Sequence, residues 1–250
     1  MVIREELRRC RFWRSVLAET LGTFMLVTVV LGSSCLGLRV SRSDSLLPAL
    51  AAGLTVVSLV QCFGEISGAQ LNPAITFALV CARKLDLLHG MAFAVAQCVG
   101  ATCASALFYL CMPSSVCNQL VTRVSSEGNA GQALAMEIFA TFQLAFTIFA
   151  VDDRRRRDIT EPGSLAIGFS VTAGALTAVY WIGPVLGAFL AGASYEFFFA
   201  SSASREKLFA CLTCKDIEIV EAASMSHSSL STATQTAART RQHENKQECS

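Results

Sequence analysis

Charged residues are scarce in this sequence. Of its 250 residues, 16% are Asp, Glu, Lys or Arg and 53% are apolar, whereas soluble domains carry roughly 25% charged residues. A folded soluble domain of this size turns much of its surface toward water, so this composition excludes the soluble enzymes as a class. The mean hydropathy is +0.50. We therefore expect an integral membrane protein.

The sequence also has few histidines and almost no excess of basic over acidic residues. The chain has only 3 His, none of them paired at the spacing of metal ligands, so a metal site is not expected. A net charge of +1 offers no basic excess to attract nucleic acid. No nucleophile–base arrangement or cofactor motif is present. We predict that the chain is not an enzyme and uses no cofactor, metal or nucleic acid.

Long stretches with few charges predict the membrane spans, since about 20 apolar residues cross a hydrocarbon core of roughly 30 Å. Five stretches qualify: Arg14 to Arg39, Asp44 to Glu65, Asp86 to Arg123 (with a span at about Leu87 to Leu110), Glu127 to Asp152, and Glu161 to Glu196. The last region, 163–203, has the length for two thin crossings with a turn near Val179–Pro184. One long crossing is the alternative, and it would place the tail on the opposite side.

A shorter uncharged segment, ISGAQLNPAITFALVCA (66–82), lies between Glu65 and Arg83. It is shorter than a comfortable span, and Gly, Asn and Pro stand near its start. This pattern predicts a re-entrant segment, in which a loop enters the membrane and continues as a half-helix.

The distribution of Lys and Arg predicts the orientation. Eleven fall on the side of the N-terminus, the 152–158 loop and Arg83–Lys84, and three on the other side, so the N-terminus is expected to be cytosolic. Arg154–Arg157 are interpreted as a solvated loop, with a phosphoinositide or nucleic-acid patch as the alternative. The predicted organisation is a cytosolic N-terminus (1–14), a transmembrane domain (15–204) and a disordered cytosolic tail (205–250).

The two halves of the chain resemble each other. AETLGTF (18–24) aligns with MEIFATF (136–142) at an offset of 118, and LAAGLTV (50–56) aligns with LAIGFSV (165–171) at 115. AQCVGATCASALFY (96–109) aligns with GPVLGAFLAGASYE (183–196) at an offset of only 87, which is 28 less than the offset of 115. The second half is therefore shorter between Gly168 and Gly187, where the second copy of the Asn-Pro-Ala segment (66–82) should lie. Such inverted repeats place a functional site near the membrane midplane.

The order of these residues resembles the aquaporin (major intrinsic protein) family, and its water-selective vertebrate branch best. The likeness covers about 13–200 and includes FWRSVLAETLGTF (12–24), GEISGAQLNPAIT (64–76) and YWIGPVLGAFLAG (180–192). It implies an all-α membrane fold of six tilted helices around two half-helices, assembled as a tetramer. Only the first Asn-Pro-Ala motif is present, so we expect an aquaporin-like inverted repeat with one re-entrant half-helix.

The resemblance also assigns candidate site residues. Asn72, Pro73 and Ala74 form the motif, in which Asn72 caps the half-helix and points its amide donors into the pore. At the family's narrowest ring, the aromatic position falls on Ala52 and the His position on Ala175, while the ring arginine and the second Asn have no counterpart. Two His positions beside the motif are Glu65 and Gln70, in the loop that also holds Gly68. The intramembrane acids Glu19 and Glu137 are expected to support the re-entrant loops by hydrogen bonding.

The missing second motif and the altered residues of the narrowest ring determine the function that we expect. The chain is predicted to be a water channel impaired by loss of the second half-helix and its arginine. Two alternatives stay open: a non-conducting subunit that co-assembles with full-length aquaporins, or a pore widened at Ala52 and Ala175 for glycerol and other small neutral solutes. Expected partners are water, the lipid bilayer and other subunits of a homo- or hetero-tetramer. The expected location is the plasma membrane, with retention in the endoplasmic reticulum if the chain misfolds.

The chain has 11 cysteines. Five in or near the spans are interpreted as small buried apolar residues: Cys35, Cys62, Cys81, Cys98 and Cys103. A disulfide between Cys111 and Cys117 is permitted on the outer side but not implied. Cys211 and Cys214 lack a second pair, so palmitoylation is favoured over zinc binding.

Overall fold

A computed structural model describes residues 2–40, 46–118, 120, 130–153, 163–176 and 182–200. Within these ranges the chain is helical and contains no strand. The helices are α1 Val2–Glu6, α2 Cys10–Val40, α3 Leu46–Ser67, α4 Pro73–Cys81, α5 Leu87–Cys111, α6 Ser114–Cys117, α7 Ala130–Val151, α8 Gly163–Ala175 and α9 Ile182–Ser194, followed by a π-helical turn Tyr195–Phe199. This confirms the all-α class.

Four of these helices are long and apolar enough to cross a membrane: α2, α3, α5 and α7. They coincide with four of the five predicted stretches. In the fifth, where two thin crossings were expected in preference to one long crossing, the structure has the two shorter apolar helices α8 and α9. At about 1.5 Å per residue, the 13 residues of α8 rise only about 20 Å.

The packing against α7 gives the direction of α8. A Cβ placed on Gly163 would lie 2.2 Å from Val151 at the end of α7, and one on Gly174 would lie 3.7 Å from Ala140 near its middle. Successive residues of α8 therefore contact earlier residues of α7, so the two helices are antiparallel.

The same comparison shows that α9 runs parallel to α7. Gly187 approaches the Ile138 carbonyl oxygen, and Gly192, further along α9, approaches the Phe149 ring. Because α8 is antiparallel and α9 parallel to α7, α8 and α9 run in opposite directions.

Two glycines allow equivalent close contacts between helices in the two halves of the chain. A Cβ on Gly100 of α5 would lie 2.3 Å from the Thr20 carbonyl oxygen of α2, and one on Gly187 of α9 would lie 2.2 Å from the Ile138 carbonyl oxygen of α7. Thr20 and Ile138 are related by the offset of 118 that aligns the starts of the two halves. The α2–α5 and α7–α9 pairs are thus two copies of one close helix crossing.

The chain divides into two compact units, Met1–Tyr195 and Glu196–Ser250. Only 196–200 of the second unit are described. The predicted tail, the Arg154–Arg157 run, and Cys211 and Cys214 lie outside the described residues.

The interpretation of the membrane cysteines as buried was wrong for four of the five. Cys35 is buried, but Cys62, Cys81, Cys98 and Cys103 are exposed on helix surfaces. A small apolar side chain on a membrane helix can face lipid, so the hydrophobic effect does not require its burial in protein.

Candidate functional site

The half-helix α4 begins at the Asn-Pro-Ala motif. Asn72 is its N-cap with extended backbone (φ −150°, ψ 120°), and its side-chain oxygen accepts a hydrogen bond from the Ala74 N–H at 2.9 Å. Pro73 occupies the first turn, where its missing N–H costs nothing. The Thr76 N–H donates to the Asn72 carbonyl at 3.0 Å and continues the helix. The motif thus forms a capped helix start.

The loop that leads into α4 has an uncommon backbone. Gly68 has φ +90°, and two residues with side chains, Ala69 (φ +46°) and Leu71 (φ +50°), also lie in the left-handed region. Such conformations are costly for residues other than glycine and persist only where surrounding contacts hold them. Ala69 and Leu71 are buried in a small apolar cluster with Leu59.

A buried carboxylate on α2 holds this loop. Glu19 is 0% exposed. One of its oxygens accepts from the Ser67 hydroxyl at 2.6 Å and the Gln70 N–H at 3.0 Å. The other accepts from the Leu71 N–H at 2.9 Å. Hydrogen bonds to a charged acceptor are stronger than neutral ones, so Glu19 compensates the unusual loop backbone.

A further residue, Gln97 of α5, joins the loop, Glu19 and α4. Its side-chain amide donates to Glu19 at 2.9 Å and to the Thr76 hydroxyl at 3.0 Å, and it is 1% exposed. The Thr76 hydroxyl also lies 2.7 Å from the Gln70 side-chain oxygen. Gln97 lies in one of the aligned repeat stretches, but its role was missed at the level of sequence. The available signal was an amide in the middle of a 25-residue apolar helix, since polar side chains at that depth need partners.

This arrangement presents hydrogen-bond donors and positive potential at the start of α4. Among the described residues, the Asn72 amide nitrogen donates to no protein acceptor, so its two N–H groups are available to a passing molecule. The first backbone N–H groups of a helix carry the positive end of its dipole. The site can therefore orient a small molecule by its oxygen and oppose cations.

The remaining predicted residues divide into two groups. Glu65 is exposed near the end of α3, while Gly68 (exposed) and Gln70 (half-buried) lie on the loop before α4. Ala52 is 7% exposed on α3, and Ala175 is exposed at the end of α8. The described contacts do not bring these two alanines together.

The second predicted acid lies at the equivalent point of the other half. Glu137 is 0% exposed on α7, at the position that the offset of 118 pairs with Glu19. The partners of Glu19 come from the loop before α4 and from α5. These hydrogen bonds are those of Glu19, and the role expected of Glu137 stays a prediction.

Comparison with known proteins gives consistent matches. A family model described as major intrinsic protein matches residues 6–179. Aquaporin-4 of Mus musculus is 39% identical over 222 residues, covering 75% of this chain and 68% of the relative. Aquaporin-1 of Homo sapiens is 34% identical over 234 residues, covering 80% and 87%.

Among solved structures, the X-ray structure of the aquaglyceroporin from Plasmodium falciparum superposes with a TM-score of 0.66. The match covers 75% of this chain and 96% of that chain at 18% sequence identity. This likeness supports the fold.

Proposed function

The chain belongs to the major intrinsic protein family, a family of membrane channels, and from this membership we propose that it forms a passive water pathway of reduced conductance. The pathway would rest on one Asn-Pro-Ala half-helix, α4. The capped Asn72, with its amide nitrogen left available, is the observation that carries the proposal. Water accepts hydrogen bonds from such donors in single file, while the helix dipole opposes cations.

The reduced conductance follows from the short connection between α8 and α9. Six residues, 176–181, separate Ala175 from Ile182, whereas α4 alone has 9 residues and needs a preceding loop. This connection is too short for a second half-helix of that size. Without one, the pathway has no second dipole, no second donor pair and no arginine to limit its width.

The alignment with mouse Aquaporin-4 supports this interpretation. It runs over 222 residues yet covers only 75% of this chain. Aligned without gaps, 222 residues would cover almost nine tenths of the chain. The alignment therefore contains many positions at which the relative has a residue and this chain has a gap. The repeat comparison independently shows a shortening, because the offset between the halves falls from 115 at Gly168 to 87 at Gly187. The alignment is thus consistent with a shorter chain, and the repeat comparison supports placing the shortening in the second half.

Assembly with full-length relatives is a second candidate function. The glycine crossings at Gly100 and Gly187 are both intact, so the helices of each half pack as a repeat pair. Such a subunit could occupy a place in a family oligomer while conducting little. Alanine at positions 52 and 175 makes glycerol the further solute to examine, since both side chains are small.

Osmotic shrinkage of proteoliposomes, with the inserted protein quantified, tests the proposal. We expect water permeability slightly above that of empty liposomes and well below that of mouse Aquaporin-4. Asn72→Asp should remove the excess, and Asn118→Asp, at the end of α6, should leave it unchanged. Shrinkage as fast as that of the relative would refute reduced conductance. Selective glycerol uptake would favour the widened pore, and shrinkage equal to that of empty liposomes would leave assembly as the function.

A further inference from the structure

A cavity of about 440 Å³ opens beside the re-entrant loop. Its walls come from three elements: the start of α2 (Arg11, Phe12, Ser15), the end of α3 and the following loop (64–68), and the start of α5 (His89, Phe93). Glu6 and Arg9 close one side. Its volume lies within the range of small-ligand sites, about 300–1,000 Å³.

The cavity lies at the depth of lipid headgroups. α2, α3 and α5 are all candidate spans, and the lining residues are at the ends of these helices on one side. Helix ends of spans meet the interface between hydrocarbon and water. Trp13, 56% exposed one residue after Phe12, matches the aromatic side chains that anchor helices at this interface.

The charges that line the cavity have both signs. Glu6 and Arg9 pair with each other at 2.7 Å. Arg11 and Glu65 are exposed, and neither forms an ion pair within the described part of the chain. The cavity therefore offers one available guanidinium and one available carboxylate. A ligand that carries an anion and a hydrogen-bonding cation complements both.

The inner wall of the cavity is aromatic. Phe12 and His89 meet edge to face with ring centroids 4.9 Å apart, and His89 and Phe93 do so at 5.8 Å. Phe12 and Phe93 are 3% and 2% exposed. This wall suits the glycerol and first acyl carbons below a headgroup.

We propose that this cavity binds the headgroup of phosphatidylethanolamine. Arg11 binds the phosphate, which its planar guanidinium contacts through two N–H groups, and Glu65 accepts from the primary ammonium. This site goes beyond the water pathway proposed above, and it borders the loop that carries α4.

Lipid binding by the full chain in detergent, measured by native mass spectrometry, tests the site. Phosphatidylethanolamine should be retained several-fold more than phosphatidylcholine, whose methylated nitrogen cannot donate to Glu65. Phosphatidylglycerol, which has the phosphate and hydroxyl donors but no ammonium, should be retained less than phosphatidylethanolamine. Equal retention of phosphatidylethanolamine and phosphatidylcholine would overturn the proposal.

Two substitutions test which residue binds the phosphate and which binds the ammonium of the headgroup. Arg11→Gln should weaken both phosphatidylethanolamine and phosphatidylcholine, and Glu65→Gln should remove the preference for the former without weakening the latter. Arg14→Gln and Glu5→Gln are matched controls, since both residues are exposed nearby and do not line the cavity. An unchanged preference in Glu65→Gln, with helicity and elution volume preserved, would refute the assignment of the carboxylate.

A competition experiment distinguishes binding of the lipid from binding of a soluble phosphodiester. Glycerophosphoethanolamine at the same concentration should not displace the lipid, because it lacks the acyl chains whose burial contributes to binding. Displacement at equal concentration would make a free phosphodiester the ligand and overturn the lipid assignment.

Discussion

Gly53 of α3 and Gly168 of α8 lie so close that neither has room for a side chain. A Cβ on Gly53 would lie 2.5 Å from the Gly168 carbonyl oxygen, and a Cβ on Gly168 would lie 2.6 Å from the Gly53 carbonyl oxygen. The relationship is reciprocal, as expected where two equivalent helices of a repeat cross. This crossing joins the two halves of the chain.

Alanine at this crossing should destabilise the protein. In Gly168→Ala, the new methyl group would lie 2.2 Å from the Val57 side chain and 2.6 Å from the Gly53 carbonyl oxygen. The backbone oxygen cannot move aside as a flexible side chain does, so we expect a loss of about 1–3 kcal/mol in the free energy of unfolding. Gly174→Ala, in the same helix, is the control: its Cβ would lie 3.7 Å from the nearest atoms, and alanine favours helix by up to about 1 kcal/mol. Thermal unfolding in detergent measures both. Equal stability of the two variants would contradict the crossing.

Removing the charge of Glu19 should release the loop before α4. In Glu19→Gln, an NH₂ group replaces an oxygen that accepts two hydrogen bonds. Two part-buried donors then lose their acceptor at up to about 1–3 kcal/mol each, so a loss of up to about 6 kcal/mol in unfolding free energy is expected. The exposed Glu65→Gln should unfold like the unaltered chain in the same assay. A Glu19→Gln variant as stable as Glu65→Gln would show that the carboxylate does not hold the loop.

Asp86 should contribute to the start of α5. Its side chain accepts from the His89 N–H at 3.0 Å as the N-cap of the helix. Asp86→Ala is therefore expected to cost about 1 kcal/mol, and Asp86→Asn less, because Asn also caps well. Chemical unfolding of both variants in detergent measures the difference. The cap is refuted if alanine and asparagine behave alike.

The contribution of Asp86 should depend on pH. Burial acts to raise the pKa of this carboxyl, but the hydrogen bond from the His89 backbone and the His89 charge outweigh it, so the pKa is lowered. A lowered folded-state pKa stabilises the protein above the unfolded value, about 3.9 for Asp, and this stabilisation is lost as the pH falls through the folded value. The stability difference between the unaltered chain and Asp86→Asn should therefore shrink in acid below about pH 4. A stability difference that grows in acid would contradict the lowered pKa of Asp86.

Much of the fold could be predicted from the sequence because membrane helices are long, apolar and bounded by charge. The capped start of α4 was readable from Asn72 and Pro73, whose roles depend on local geometry. The contacts of Gln97 and the reciprocal approach of Gly53 and Gly168 were not, since both arise only when distant helices pack. The repeat alignment paired the two glycines but could not show that they touch.

The ion pair at the far end of α4 illustrates the same limit. Lys84 contacts Asp152 at 3.1 Å and lies over the Phe149 ring, with 4.8 Å from its nitrogen to the ring centroid. In the sequence, Lys84 entered only the count of basic residues that predicts the orientation, and Asp152 only marked the end of a predicted span. Their proximity follows from the packing of the re-entrant segment against the second half of the chain.

The central claim, that one missing segment limits conduction, is tested most directly by restoring it. We would insert a 28-residue segment from the second half of mouse Aquaporin-4, matching the fall in repeat offset from 115 to 87, between Val179 and Tyr180 and compare osmotic shrinkage per inserted protein. The account predicts a several-fold rise in water permeability, which Asn72→Asp in the same background reduces. A restored chain that is inserted and folded, yet conducts no faster than the original, would contradict it.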